Sequence, residues 1–195
     1  MRHSALAVIQ DEHQSLAAML RSMSLMVAQS RRDDTLPAFD VLRAMLFYVD
    51  EFPERLHHTK ESKLLFPKLR SRTHEADAVL DRLDQDHQNG ERNIRELEHA
   101  LLAFEMMGEP RREAFERALR DYTDGFLAHM KIEETEVLPL AQRVLTAQDW
   151  RELDAAFAAN RDPLTGHAPD EPYRSLFSKI VNTLPAPLGL GPALA

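Results

Sequence analysis

Two stretches of the chain carry the same spaced motif, His57-x-x-x-Glu61-x-x-x-x-x-Pro67 and His129-x-x-x-Glu133-x-x-x-x-x-Pro139, the second 72 positions after the first. On a helix, residues four apart lie one above the other on the same face, so each copy aims an imidazole and a carboxylate at a common point. A second matched pair accompanies them: His13 in Gln10-Asp11-Glu12-His13-Gln14 and His87 in Gln85-Asp86-His87-Gln88, 74 positions apart. The chain therefore reads as two similar halves, each supplying a lone histidine and then a His-x-x-x-Glu. Nitrogen and oxygen donors paired in this way, twice over, are the donor set of a site for two metal ions. The chain has no cysteine. That excludes thiolate zinc sites, iron–sulfur clusters, disulfides and thiol redox chemistry, and leaves histidine and acidic side chains as the ligands.

The hydrophobic pattern strengthens the metal reading. His13, His87 and His129 each occupy a slot where an apolar stripe would otherwise continue, and Glu133 follows one turn after His129, between Phe126 and Val137. A buried, unpaired carboxylate costs several kcal/mol, and two of them, Glu61 and Glu133, face to face cost more. A cation removes that penalty. One His-x-x-x-Glu on a helix is ordinarily a solvated pair, and a lone core histidine is ordinarily a hydrogen-bonded packing residue. Six such residues in two matched sets on inward stripes favour the metal. His58 has Ser62 at i+4 and is expected to point off the site. His3, His74, His99 and His167 have no partner at metal spacing and read as surface residues. Pro67 and Pro139 read as bends just past the site, and Tyr122, one heptad before His129, as a core residue.

These side chains need helices to hold them, and the composition supplies helices. Only six glycines, with long stretches of Ala, Leu, Glu and Arg, favour helix over strand. Apolar residues recur at three- and four-residue steps through Leu6, Ile9, Leu16, Leu20, Met23 and Val27, then from about Pro37 through Leu42, Leu46, Val49 and Leu64. The third run is Leu80, Leu83, Ile94, Leu97 and Leu101, ending near Gly108-Glu109-Pro110, and the fourth runs from Phe115 to Val144. Phe52-Pro53 predicts a kink or break one turn before His57. Long helices with short connections predict an all-α, up-down-up-down four-helix bundle over residues 1–146. Residues 147–195 read as an extension with short helices at Asp149 to Ala159 and Tyr173 to Leu184, then a Pro/Gly-rich tail from Pro185 to Pro192. The net charge of −8, without a Lys/Arg cluster, argues against a nucleic-acid partner. No run approaches the roughly 20 apolar residues of a membrane span, and the start lacks a secretory signal, so the expected compartment is the cytoplasm. The oligomeric state is not legible.

At His13, His57-His58-Thr59-Lys60-Glu61 with Leu65-Phe66-Pro67, His87, and His129 to Glu133, the sequence resembles the hemerythrin family, and more closely its bacterial HHE cation-binding branch. The resemblance spans about residues 4 to 145. Ferritin-like di-iron bundles use Glu-x-x-His at i, i+3, and the order here is reversed. The resemblance implies a non-haem di-iron centre, with Glu61 and Glu133 bridging, His13 and His57 on one iron, and His87 and His129 on the other. Where the family's oxygen carriers place a second histidine four residues after the first on helix three, this chain has Glu91. Glu91 is therefore expected as a seventh ligand that closes one iron and leaves the His13/His57 iron open. The implied function is binding or sensing of O₂ or NO, or reaction with peroxide. The alternatives are an iron-handling enzyme (a ferroxidase, or an iron donor for cluster repair) and a bundle with structural metals. The absence of cysteine counts against the repair branch, whose members carry an additional Cys-containing segment.

Overall fold

Helix α1, Ser4–Arg32, opens a computed structural model that describes residues 3–183 of the chain. Its buried face runs from Leu6 and Ile9 through His13 and Leu16 to Met23 and Val27, the three- and four-residue spacing that predicts it. After a short connection α2 occupies residues 39–72, α3 is Asp77–Met107, and α4 occupies residues 112–144. Sequential neighbours pack together and α4 returns to α1, giving the up-down-up-down bundle. Gly108, at φ 71°, ends α3 in a conformation that costs a glycine little, and the single turn Glu109–Arg111 leads into α4. All regular structure among the described residues is helical, and none of the helices is long and apolar enough to cross a membrane.

The bundle has two cores with a polar layer between them. One contains Leu20, Met23, Leu42, Met45, Tyr48, Leu101, Phe104 and Phe115. The other contains Leu6, Ile9, Phe66, Leu69, Leu80, Leu83, Val137 and Leu140. Between them lie the buried histidines and glutamates, so apolar packing above and below fixes the helices that carry the polar layer.

Helices α2 and α4 are not regular through that layer. No break occurs at Pro53. The chain instead widens into a π-helical stretch at Asp50–His57 with the proline inside it, and the His58 amide donates to the Pro53 carbonyl. Further wide turns follow at Glu61–Leu65 in α2 and Glu133–Val137 in α4, each starting at a buried glutamate. The Phe66 amide reaches back five residues to the Glu61 carbonyl, and the Leu138 amide to that of Glu133. The cause lies in Pro67 and Pro139, which stand in the first turn of the helix that resumes after each wide turn. A proline has no amide for the carbonyl four residues back and its ring crowds that carbonyl, so the ladder shifts by one residue. At the two prolines, where bends are expected, the structure has these wide turns, which begin at the site itself.

Beyond the bundle, α5 (Ala147–Phe157) lays Trp150, Leu153 and Phe157 against the core that holds Leu6 and Ile9. Asp154 accepts from the Ala5 amide at 2.8 Å, which satisfies a free N–H in the first turn of α1. Helix α6 (Arg174–Thr183) buries Phe177 and Ile180 in the core around Tyr48. The expected helices of the extension are thus present, while the tail expectation, Pro185 to Pro192, lies outside the described residues.

Asp149 anchors α5. It forms a reciprocal cap with Thr146 and accepts from Arg72 Nε at 2.9 Å and Nη2 at 3.1 Å. The Arg72 hydrogen bonds are the main reason its carboxyl is held well below the usual carboxylate range. A depressed pKa favours the ionised form in the folded chain, so its contribution is complete above the unfolded carboxyl pKa, about 4, and is lost as pH falls below it. Asp149→Asn is expected to destabilise by about 1 kcal/mol at pH 7, the usual scale of a lost cap. Urea unfolding from pH 7 to pH 3 checks this: the gap to the parent should narrow below about pH 4, and a gap constant with pH would refute the assignment.

Candidate metal centre

The structure brings six of the seven expected residues into one buried cluster. His13 comes from α1, His57 and Glu61 from α2, His87 from α3, and His129 and Glu133 from α4. His13 Nε2 lies 3.2 Å from His57 Nε2, and His87 Nε2 lies 3.0 Å from His129 Nε2. The glutamates stand between these pairs. Glu61 turns Oε1 to His57 at 3.2 Å and Oε2 to His87 at 3.7 Å. Glu133 turns Oε2 to His13 at 3.3 Å and Oε1 to His129 at 3.3 Å. Each carboxylate therefore faces both halves of the cluster.

Glu91 is not there. Its side chain is 67% exposed and pairs with Arg95 on the outer face of α3. The inward stripe of α3 steps from His87 to Gly90, Ile94 and Leu97, three residues and then four, and so passes Glu91 by. The volume beside Gly90 is taken by the Glu54 carboxylate, so close that a Cβ at position 90 would meet Glu54 Oε2 at 2.1 Å.

His58 is there, against expectation. It is buried, stacks on His87 at a centroid distance of 4.3 Å, and contacts His129 at 5.4 Å. Two groups of donors close enough to hold an ion result: His13, His57, Glu61 and Glu133, and His58, Glu61, His87 and His129. The i+4 rule failed at His58 because it assumes about 100° per residue. The wide turns on either side of His57-His58 reduce that angle, so consecutive histidines both face inward. Position 130, the counterpart of His58 in the second half, is the buried Met130, and the site is accordingly asymmetric.

Each histidine is held from behind through Nδ1. His57 donates to Glu12 at 2.7 Å, His129 to Asp86 at 3.4 Å, His13 to Glu134 at 3.1 Å and His58 to Glu54 at 3.1 Å. His87 donates to Ser62 Oγ at 2.8 Å, and that hydroxyl donates onward to Asp84 at 2.8 Å. Carboxylates only accept, and the Ser62 hydroxyl spends its proton on Asp84, so each of the five rings carries a proton on Nδ1 and, once its Nε2 is unprotonated, turns that lone pair inward. The partners follow the repeat. The acid just before each lone histidine, Glu12 or Asp86, holds the histidine of the His-x-x-x-Glu helix. The residue just after each glutamate, Ser62 or Glu134, holds the lone histidine. The signal for Glu12 and Asp86 was present in the duplicated acid-His pairs.

The electrostatics are those of a site that wants a cation. All four oxygens of Glu61 and Glu133 are buried without a hydrogen-bond donor. Burial, then the charge of Glu133, raises the pKa of Glu61. Burial would also raise that of Glu133, but the neighbouring His129 and His13 override it and hold it low. Burial lowers His129, yet the Glu133 carboxylate outweighs this and lifts it to about 9. His87, with burial and the adjacent His58 both acting against charge, drops to about 2. Inward lone pairs 3.0–3.2 Å apart, set against carboxylates with no donor, fit positive ions bound between them. The residues present fit such a group.

The two faces of the cluster differ. On the His58/His87/His129 side a cleft of about 510 Å³ runs between α3 and α4, past Gly90, Tyr122, Gly125 and Phe126. Tyr122 is buried as expected, and its hydroxyl also donates to Glu54 at 3.1 Å. On the His13/His57 side there is only a crevice of about 10 Å³, bounded by Leu16, Phe52, Leu56, Asn160 and Asp162. Of the other histidines, His74, His99 and His167 are exposed, and His3 stacks on Trp150 at 4.2 Å.

The hemerythrin HHE cation-binding domain, as a family model, matches residues 4–141, from the start of α1 to the last turns of α4. With that extent of match, and the His and Glu cluster at its centre, the chain belongs to the hemerythrin HHE family. Among curated proteins and among solved structures the comparisons find no match.

Proposed function

We propose that the chain is a non-haem di-iron protein that binds or senses O₂ or NO, or reacts with peroxide. The observation that carries the reading is the pair of buried glutamates, whose oxygens lack donors and face both halves of the cluster. In this reading Glu61 and Glu133 would be shared between two irons. His13 and His57 complete one set, and His58, His87 and His129 the other, so that His58 takes the place expected for Glu91. These residues would give one iron three histidines and the other two, so that the second would keep room for an exogenous ligand, an open position on the His13/His57 side. When bound, the iron pair supplies that position together with the electrons a diatomic ligand or a peroxide takes up.

The chain supplies the rest. Glu12 and Glu134 hold His57 and His13 in one tautomer and one orientation beneath the open position. The apolar cores above and below exclude water from the bridging carboxylates. The crevice over His13 and His57, about 10 Å³, has room on the scale of a single water molecule, which suits a ligand of very few atoms.

Metal analysis of aerobically purified protein, with absorption spectra before and after azide, tests this reading. Two irons per chain and an azide-sensitive charge-transfer band are expected. Zinc with no visible spectrum would replace the reading with that of a structural metal bundle.

A further inference from the structure

The segment that follows α5 lies outside the helices that carry the histidines, yet it reaches the cluster. Asn160 is buried, and its Nδ2 donates to Glu12 Oε2 at 3.0 Å, the same oxygen that receives the His57 Nδ1 proton at 2.7 Å. Its own Oδ1 accepts from Lys60 on α2. Two residues on, Asp162 is also buried. It accepts from the Tyr48 hydroxyl at 2.6 Å and from the Leu164 amide at 2.8 Å, which pins the segment to α2. Asn160 and Asp162 both line the crevice over His13 and His57, together with Phe52 and Leu56. The matched family domain ends at residue 141, so this wall comes from chain beyond it.

We propose that residues 158–165 form the outer wall of the ligand pocket, with Asn160 as a positioning residue for the metal held by His13 and His57. Asn160 fixes the Glu12 carboxylate, Glu12 fixes the His57 ring and keeps its proton on Nδ1, and the Nε2 lone pair is thereby aimed at the ion. The same amide lines the crevice, so this segment stands across the approach to that ion. The proposal rests on the two-metal reading above, with the open position on this side. It adds that the size and exchange rate of the ligand are set by the C-terminal extension.

Two readouts on metal-loaded protein test it. The first is release of each ion into a chelator. In Asn160→Ala, one of the two ions should leave several-fold faster, less than the roughly 10–100-fold expected for loss of Glu12 itself, the direct partner of His57, while the other keeps the parent rate. Asn160→Asp should behave as Asn160→Ala does, because it keeps the shape but removes the donor to Glu12. The second readout is azide exchange followed by absorption, expected at least tenfold faster in both variants. Should either variant fold poorly, Lys60→Met leaves Asn160 in place but untethered, and should shift both rates in the same direction by less. Parent rates of ion release and azide exchange in well-folded Asn160→Ala would overturn the proposal. So would equal acceleration of both ions, which would mean a general loosening. If azide leaves the parent spectrum unchanged, the open-position reading fails and so does the pocket wall, whereas the release rates still decide whether Asn160 positions His57.

Discussion

Glu61→Ala and Glu133→Ala are each expected to lose both metal ions, not one. Each carboxylate turns one oxygen to the His13/His57 half and the other to the His58/His87/His129 half, so deleting either removes a ligand from both ions at once. The effect should exceed the roughly 10–100-fold that loss of an outer partner costs. Equilibrium dialysis with metal analysis of each variant measures it. Retention of one ion at near-parent affinity would show that the carboxylates are terminal ligands. The metal-free protein should respond in the opposite sense. Glu61 is fully buried with no donor on either oxygen, and a like charge faces it. Replacing it with a side chain of similar volume, Glu61→Met, removes a buried carboxylate whose oxygens lack a donor and is expected to stabilise the metal-free bundle by about 1–3 kcal/mol, the scale of an unsatisfied buried polar group. A destabilised metal-free Glu61→Met would contradict the strain that this account assigns to the empty carboxylate pair.

The second large effect separates two residues whose roles the sequence suggests in reverse. His58→Phe preserves a ring that can stack between His87 and Phe126, which lie 4.3 and 5.5 Å from the present imidazole. It removes the nitrogen lone pair. The expected result is a vacant position on the cleft side and a rise in azide stoichiometry from one to two per metal pair. Glu91→Ala, on the exposed face beside Arg95, should leave stoichiometry unchanged and stability within about 0.5 kcal/mol. If Glu91→Ala opens the second azide site and His58→Phe does not, the ligand assignment is inverted.

That reversal shows what the sequence could and could not convey. The bundle was legible because four apolar stripes, separated by short connections, admit few other packings. The six central residues were legible because charge and imidazole interrupted those stripes in a repeat, and burial of a carboxylate demands a reason. His58 and Glu91 were misplaced for different causes: ideal helical spacing fails around His57-His58, whereas on the regular helix α3 position i+4 from His87 falls off the inward stripe. Wide turns around His57-His58 carry the second histidine inward, and the α3 stripe takes Gly90 rather than Glu91 because Glu54 fills the space beside it. Asn160 was invisible for a different reason. It reaches Glu12 across 148 positions from a segment with no periodicity, placed there by the packing of α5 against α1 and by the contacts of Lys60 and Tyr48 with Asn160 and Asp162.

The central claim is that two ions sit between Glu61 and Glu133, and anomalous diffraction at the iron edge from crystals of the iron-loaded protein tests it most directly. The account predicts two peaks, separated by about 3.5–4 Å as in other paired metal sites. One should lie among His13 and His57, the other among His58, His87 and His129, with both glutamates touching both. A single peak, or two peaks of which either lacks a glutamate oxygen, would contradict it.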